Sequence, residues 1–519
     1  MGSSAAFVSA GGYHHHLRLN TCASECSRGF RGPCGRSRPA ANSVILRPRG
    51  SALHARSVRL LDMKPKLVPV SASILAPRGF RAAGVFCDIK RLGTGRGSEK
   101  GAKRDLALIV CDGPAAVAGM FTTNQVCAAP VRLCIERVRG GVARAIVANS
   151  GNANACTGRP GVANARAMAA AAARALGVEP EHVLVASTGR IGVQLPMDRV
   201  RAGIAAAARE LATSSAQADA AAEAIMTSDT RPKRIAVELA LGGATVRIGG
   251  ICKGAGMIQP GMSATGRRPS AAPPPPGAAR AGGRGRHATM LAFVTTDAAI
   301  APASLRAALR RAVAGSFNRI TVDGDMSTND TVLVLASGRA GNARIASVRS
   351  RDFAAFAAAL EHVCLELALM IVRDGEGVNR MVTVRVAGAR SFADADAAAR
   401  AIANSTLVKT SWHGGDPNWG RILDALGYSP ARVVEGRVDI GYSAPGGRAI
   451  VWSLRRGQPT RVLFEVLWRA VQPKEFDLHV RLNLGGHSAV IYAADLTEAY
   501  VDFNKGTIAD PGEASALGG

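Results

Sequence analysis

A proline- and arginine-rich tract divides this 519-residue chain and limits how it can fold. Between Ser263 and His287 four consecutive prolines, Pro273 to Pro276, stand among Gly, Ala and Arg residues. Such a segment cannot bury enough apolar surface to offset the entropy of ordering it, so we expect an exposed, flexible, disordered insertion. The alternative is an untranslated interruption read through in a gene model. In either case, the folded structure must be built from the sequence on both sides.

The formal net charge of +27 suggests a nucleic-acid-binding protein, but the distribution of the charge argues against one. Residues 1–66 contain only two acids, Glu25 and Asp62, and the tract adds five arginines and no acid. These two segments hold about half of the excess, and no basic stripe interleaved with aromatics follows. There is also no run of 18 uncharged apolar residues. We therefore expect neither a nucleic-acid partner nor a membrane-spanning helix.

The ten cysteines do not form a metal-binding or disulfide pattern. No C-x-x-C pair occurs, and most cysteines lie in apolar surroundings that are typical of small buried side chains. Three adjacent histidines, His14 to His16, could bind a metal, but in an arginine-rich segment solvation is the simpler interpretation. We expect no metal site and no resident cofactor.

Residues 1–66 have the composition of an organellar transit peptide, rich in Arg, Ser, Ala and Gly and poor in acids. They lack the long apolar segment of a secretory signal. The abundance of Ala, Gly, Arg and Pro favours the chloroplast of a photosynthetic eukaryote, with the mitochondrion as the alternative.

Beyond the leader, strands and helices follow one another without regular alternation, which predicts an α+β fold. Predicted strands lie at 106–110, 145–148, 234–241, 245–248 and 331–336, an apolar strand-like run at 290–294, and predicted helices at 161–176, 199–225, 305–314 and 353–372. Shorter strands and helices continue to about Phe503, and we expect residues 509–519 to be disordered.

Five short segments beside these elements are crowded with small polar residues. They are Asn149–Asn154, Ser187–Gly189, Met226–Thr230, Asp374–Gly377 and Gly415–Gly420. Each alone is typical of a turn, but together they favour a shared pocket. No phosphate-binding glycine loop and no Gly-x-Ser-x-Gly elbow is present. Composition and pattern alone therefore indicate only an enzyme-like protein.

Nine collinear stretches resemble those of the bifunctional glutamate N-acetyltransferase/ornithine acetyltransferase family of arginine biosynthesis. They are VANSGNANACTG, VASTGRIG, IMTSDTRPK, KGAGMIQPGM, ATMLAFVTTDA, TVDGDMSTNDT, IVRDGEG, LVKTSWHGGDPNWGRILDALGYS and YVDFN, within about Val68 to Asn504. The resemblance implies a four-layer αββα sandwich, shared with autoprocessing N-terminal-nucleophile aminopeptidases. It also implies self-cleavage into two chains and a heterotetramer with two copies of each.

The resemblance places the cut between Ala288 and Thr289, giving an N-terminal chain of residues 67–288 and a C-terminal chain of 289–519. In such chemistry the threonine hydroxyl attacks the preceding carbonyl carbon, and water resolves the ester. The terminal threonine then has its own α-amine, with a pKa of roughly 8, as a nearby base. A second pair, Ala264-Thr265, is rejected because the following Gly-Arg-Arg-Pro cannot continue a buried strand.

The implied reaction transfers acetyl from N2-acetylornithine to Thr289, releases ornithine and passes the acetyl group to glutamate. By the match, Thr188 and Gly189 form the oxyanion hole, in which one donor is worth about 3 kcal/mol. The matched substrate-binding positions are Thr227, Lys253, Thr289, Glu376 and Asn504, with Thr507 a weak candidate in a C-terminus that departs from the family pattern. Lys253 suits a substrate carboxylate and Glu376 a substrate ammonium group, although either could be an ordinary surface charge.

Several alternatives stay open. The family runs directly from PGM into ATML, so residues 263–287 are inserted beside the scissile bond and could leave an uncleaved, inactive protein. An N-terminal-nucleophile hydrolase or aminopeptidase is a second alternative, and a basic RNA-binding module a third. The family also includes members that use acetyl-CoA as donor. We favour that bifunctional mode, although the residues themselves do not reveal it.

Overall fold

The computed structural model describes residues 65–90, 103–268 and 289–504. The predicted leader up to residue 64, most of the insertion, Ala288, Thr507 and the 509–519 tail lie outside the described residues. The described part mixes strands and helices in two sheets, which confirms the α+β prediction.

The strands are β1 Val68–Pro69, β2 Phe80–Val85, β3 Leu106–Thr122, β4 Val142–Asn152, β5 Val183–Arg190, β6 Lys233–Leu241, β7 Ala244–Lys253, β8 Met262–Ser263, β9 Leu291–Thr296, β10 Ile320–Thr321, β11 Thr331–Ala336, β12 Met381–Ala389, β13 Asp439–Ser443, β14 Val451–Arg455, β15 Gln458–Pro459, β16 Glu475–Arg481 and β17 His487–Ala494. The helices are α1 Ala129–Arg137, α2 Gly158–Leu176, α3 Met197–Arg209, α4 Ser215–Ala224, α5 Pro302–Gly315, α6 Arg351–Arg373, α7 Phe392–Asn404, α8 Thr406–His413, α9 Trp419–Gly427, α10 Phe464–Val471 and α11 Glu498–Phe503.

The larger sheet has the order β1-β6-β7-β9-β11-β3-β4-β5, and β2 and β8 also pair with β3. The 17-residue strand β3 connects the part of the sheet that ends at β11 with the part formed by β4 and β5. The first half of β3 pairs with β2 and β4, and its second half pairs with β11. The β3–β4 register shifts between Val110 and Ala115, where Pro114 cannot donate a backbone hydrogen bond.

Alternating side chains on the central strands show how the layers are arranged. In β9, Leu291 and Phe293 lie in one core with residues of β2, β4, β5 and α2–α4. Ala292 and Val294 point the other way, into a core with α5 and α6. The core with α2–α4 and the core with α5 and α6 therefore lie on opposite faces of β9, which fits the expected αββα sandwich.

A second sheet, with the order β10-β17-β12-β16-β13-β14-β15, was not part of that expectation. It has its own core with α7–α9, which includes Val384 and Trp412. The helix α6 is apolar and long enough to span a membrane by length and composition. However, it packs against α5, β6 and β7, so its hydrophobicity belongs to the protein core.

One predicted helix is wrong in its extent. Residues 199–225 form two helices, α3 and α4, instead of one. The chain leaves the helical path at Leu211 and Ala212, and the Ala212 backbone bonds that of Ala82 in β2. Ser214 then caps α4, because its hydroxyl accepts a hydrogen bond from the Gln217 amide at 3.3 Å.

Gly84 in β2 gives a direct test of the packing of α4 on the sheet. A Cβ atom at this position would lie 2.1 Å from the Ala220 carbonyl oxygen, so Gly84→Ala must push backbone segments apart. We expect a loss of about 3 kcal/mol in the free energy of unfolding, measured by denaturant titration. Gly113→Ala is the matched control in β3, because nothing lies within 4 Å of its added Cβ. Equal stability of the two variants would contradict this packing.

Candidate active site

Thr289 lies in the interior, two residues before β9 begins, with 2% of its surface exposed. Its Oγ1 is 2.9 Å from Ser327 Oγ, and this serine oxygen also accepts a hydrogen bond from the Asn329 amide at 3.1 Å. The next amide, of Met290, donates to Asp330 Oδ1 at 3.1 Å. The rejected Thr265, by contrast, is exposed in a turn after β8. Of the two threonines, only Thr289 is held in a polar, water-excluded environment.

Lys253 brings three of the predicted residues together. It ends β7, whose antiparallel pairing with β9 places Lys253 opposite Leu291, two residues from Thr289. The Lys253 Nζ atom donates to Thr227 Oγ1 at 2.6 Å and lies 3.3 Å from Thr188 Oγ1. Burial lowers the pKa of Lys253 to about 8, against the opposing effect of Asp229. Burial destabilises the charge of this ammonium group, and a nearby anion would offset that effect, so the position suits an anionic ligand.

A network of buried charged residues holds Lys253 and Thr227 in place. Asp229 accepts hydrogen bonds from the amides of Thr227, at 3.0 Å, and Gly254, at 2.7 Å. Lys233 donates to both Asp229 and Asp374. Burial by itself would raise the pKa of Asp229, but Lys233 and Lys253 hold it below its ordinary value. The ionised Asp229 thus fixes the backbone at Thr227, which contacts Lys253, and at Gly254, which follows it.

Glu376 and Asn504 form a second contact pair of the same site. Asn504 Nδ2 donates to Glu376 Oε2 at 3.3 Å, and the Glu376 amide donates to the Ala255 carbonyl at 2.9 Å. Ala255 follows Lys253 by two residues, so Glu376 borders the same chain segment. Burial raises the pKa of Glu376, which is only 6% exposed. Burial excludes the alternative that Lys253 and Glu376 are surface charges.

The Thr188-Gly189 segment is fixed by a close approach of two strands. In the parallel β4–β5 pair Gly189 lies opposite Gly151, and a Cβ on Gly189 would be 2.3 Å from the Gly151 carbonyl carbon. Its φ of +127° also favours glycine. These constraints place the Thr188 hydroxyl beside Lys253. The oxyanion-hole role of Thr188 and Gly189 stays a prediction.

Sequence reasoning missed three residues that complete the site. They are Ser327 beside Thr289, Asp330 beside Met290, and Asp229 beside Lys253. Ser327 and Asp330 lie within TVDGDMSTNDT, and Asp229 lies within a polar segment already noted, but no single residue in either stretch stands out. Of the predicted positions, Ala288 and Thr507 lie outside the described residues.

The family model of ArgJ matches residues 81–506. The chain belongs to the ArgJ family. Two similar proteins are the arginine biosynthesis bifunctional protein ArgJ of Symbiobacterium thermophilum, 48% identical over 435 residues, and that of Geobacter sulfurreducens, 46% identical over 430 residues. The first alignment covers 84% of this chain and 98% of its relative, and the second covers 82% and 98%.

A solved structure of an ArgJ relative is also similar. It is the ornithine acetyltransferase of Mycobacterium tuberculosis complexed with ornithine, which is 40% identical. The match covers 38% of this chain and 100% of that one, with a TM-score of 0.34. Membership of the ArgJ family confirms the resemblance predicted from the nine stretches.

The buried network predicts a large effect for Lys233→Met. Removing this cation leaves Asp229 and Asp374 buried without their shared partner, so we expect a loss of about 3–5 kcal/mol in the free energy of unfolding. Arg311→Met is the control, because its ion pair with Glu361 is partly exposed and is worth about 1 kcal/mol or less. Denaturant titration measures both variants, and a Lys233→Met loss as small as that of the control would contradict the network's structural role.

Proposed function

We propose that this protein is an autoprocessing acetyltransferase of arginine biosynthesis that uses Thr289 as its nucleophile. Membership of the ArgJ family supports the acetyltransferase activity. One observation supports the assignment most strongly. Thr289 is buried, and Leu291, two residues further along the chain, pairs with Lys253. The Lys253 ammonium group in turn contacts Thr188 and Thr227.

The proposed maturation starts from the uncleaved chain. Thr289 Oγ1 attacks the Ala288 carbonyl carbon, its proton passes to the Thr289 nitrogen as the C–N bond breaks, and the resulting ester is hydrolysed. The products are the Ala288 carboxylate and a free α-amine on Thr289. A hydrogen bond between Thr289 and Ser327 orients the attacking hydroxyl.

The mature enzyme then works in two half-reactions. Thr289 Oγ1 attacks the acetyl carbon of N2-acetylornithine and the α-amine accepts the hydroxyl proton, which it passes to the departing nitrogen as the C–N bond breaks and ornithine leaves. The neutral amino group of glutamate next attacks the acetyl-threonine ester, and its proton passes through the α-amine to Thr289 Oγ1 as the C–O bond breaks, which gives N-acetylglutamate and restores the hydroxyl group. Lys253 binds the substrate carboxylate and Glu376 binds the ammonium group, while Thr188 and Gly189 donate to the oxyanion. Acetyl-CoA is a second acetyl donor in this proposal.

The topology of the larger sheet supports a mature protein of two chains that stay together. The strand β9 begins two residues after Thr289 and pairs with β7, which precedes the cut. The strand β11, from beyond the cut, pairs with β3 from before it. Residues 67–288 and 289–519 would therefore share one sheet, and we propose that two such pairs form a heterotetramer. We further propose that residues 1–66 direct the protein to the chloroplast, or alternatively to the mitochondrion.

A hydrolase or aminopeptidase on the same architecture is the second candidate, and it predicts different products. Incubation with N2-acetylornithine and glutamate gives N-acetylglutamate in an acetyltransferase and free acetate in a hydrolase. We expect N-acetylglutamate, because the family model covers residues 81–506.

Self-cleavage depends on the hydroxyl group of Thr289. We expect the wild-type chain to give two bands on denaturing electrophoresis, the smaller starting at Thr289 by N-terminal sequencing. Thr289→Ala should remain uncleaved, and Thr289→Ser should still cleave because it retains a hydroxyl group. Thr265→Ala is the control and should cleave normally. An intact wild-type chain would support the inactive alternative instead.

The charge of Lys253 predicts a pH dependence. Its pKa of about 8 lies below the ordinary value, so its positive charge is lost as the pH rises above about 8. We expect kcat/KM for N2-acetylornithine to fall above this pH. Lys253→Met should lower kcat/KM about 10- to 100-fold and abolish the falling limb, because one charge-assisted hydrogen bond is removed.

Lys103 is exposed, so Lys103→Met is the control for this pH dependence. It should leave both kcat/KM and the falling limb unchanged. A falling limb that persists in Lys253→Met would contradict the assignment of the limb to Lys253.

A further inference from the structure

Asp330 is a fully buried carboxyl group beside the proposed nucleophile, and neither half-reaction described above uses it. It has no exposed surface, and its Oδ1 accepts a hydrogen bond from the Met290 amide at 3.1 Å. The Thr331 amide holds the same segment by donating to the Met290 carbonyl at 3.1 Å. The pairing of β11 with β9 thus fixes the Asp330 carboxyl group at the amide of Met290, the residue that follows Thr289.

The surroundings of Asp330 contain little charge to balance an anion. Lys253, at the end of β7, favours the ionised form, and Asp323, on the loop before β11, opposes it. Burial dominates both and raises the pKa of Asp330 to about 8. No ion pair joins Asp330 to a basic side chain within the parts of the chain that the structure describes. In the uncleaved chain this carboxyl is therefore mainly protonated at neutral pH.

Cleavage would change the charge at this point. It turns the Thr289 peptide nitrogen into an α-amine, which is mainly an ammonium group at neutral pH. An isolated ammonium in a buried position is strongly unfavourable, and buried charges are normally paired. The new cation at Thr289 and the buried Asp330 carboxyl group, which is bonded to the next residue, Met290, have complementary charges.

We propose that Asp330 is the counter-ion of the α-amino group that cleavage frees at Thr289. This inference rests on the proposed function. The step is a proton transfer within the pair, in which the carboxylic acid of Asp330 gives its proton to the neutral α-amine of Thr289. The products are the Asp330 carboxylate and the Thr289 α-ammonium group. One O–H bond breaks and one N–H bond forms, so the buried site gains no net charge.

The same pairing would serve the acetyl transfer. In the fraction of enzyme whose α-amine has lost its proton, the amine takes the Thr289 hydroxyl proton, and the adjacent carboxylate stabilises the resulting ammonium. Asp330 acts through the amine and does not touch the acetyl group, so it is a positioning residue. It also raises the pKa of the α-amine, because an opposite charge nearby favours the charged form.

The experiment measures kcat/KM for N2-acetylornithine against pH in the full-length, self-processed enzyme. Asp330→Asn should move the rising limb, which reports deprotonation of the α-amine, about 1–3 pH units lower and reduce the maximal kcat/KM about 10- to 100-fold. Asp330→Glu retains the carboxylate and should keep the limb near its wild-type position. Asp477→Asn, a buried carboxyl paired with Arg385 in the second sheet, should not move the limb.

A second measurement decides the matter even where Asp330→Asn fails to fold or to cleave. The rate of reductive methylation of the Thr289 α-amine in the mature wild-type enzyme, followed by mass spectrometry against pH, gives its pKa directly. A value clearly above the ordinary value of roughly 8 supports the pair. A value at or below it, or an unmoved limb in Asp330→Asn, overturns the proposal. A wild-type chain without a terminus at Thr289 would instead contradict the proposed function.

Discussion

The pairing of β9 with β7 on one side and β11 on the other is the contact on which the rest of this site depends. Because β9 starts two residues after Thr289, this pairing sets where the threonine lies. The antiparallel contact with β7 brings Lys253 to it, and the parallel contact with β11 brings Asp330. The same hydrogen bonds cross the expected cut, so the bonds that position the nucleophile would also hold the two chains together.

Buried, hydrogen-bonded charges also determine how the site is arranged. Lys233, Asp229 and Asp374 share hydrogen bonds deep in the protein, where leaving any one unpaired is strongly unfavourable. Such a network contributes little stability compared with apolar packing, but it fixes positions. Here it fixes the backbone amides of Thr227 and Gly254, which both donate to Asp229. Glu376 and Asp330, with pKa values raised by burial, face the same region. This arrangement of opposite charges supports the proposed binding of a substrate that carries both a carboxylate and an ammonium group.

The pattern of the sequence located most of the strands and helices because apolar residues alternate along β6 and β7, form a continuous run in β11 and recur with helical spacing in α6. It failed at residues 199–225, where alanine-rich helices on both sides hide a break that is fixed by tertiary contact between Ala212 and Ala82. Motif matching found Thr188, Thr227 and Lys253, which the fold brings together. It did not find Asp229, Ser327 or Asp330, since their importance comes from strand pairing and burial, which a linear pattern does not contain.

If Thr289 carries the acetyl group, mass spectrometry of the C-terminal chain will detect it. After mixing the mature enzyme with N2-acetylornithine alone, we expect one added acetyl group on the N-terminal peptide at Thr289. The acetyl group should be lost on adding glutamate, in step with the formation of N-acetylglutamate. Formation of N-acetylglutamate by an enzyme that never carries acetyl on Thr289, under conditions that trap the ester, would show that Thr289 is not the acetyl carrier.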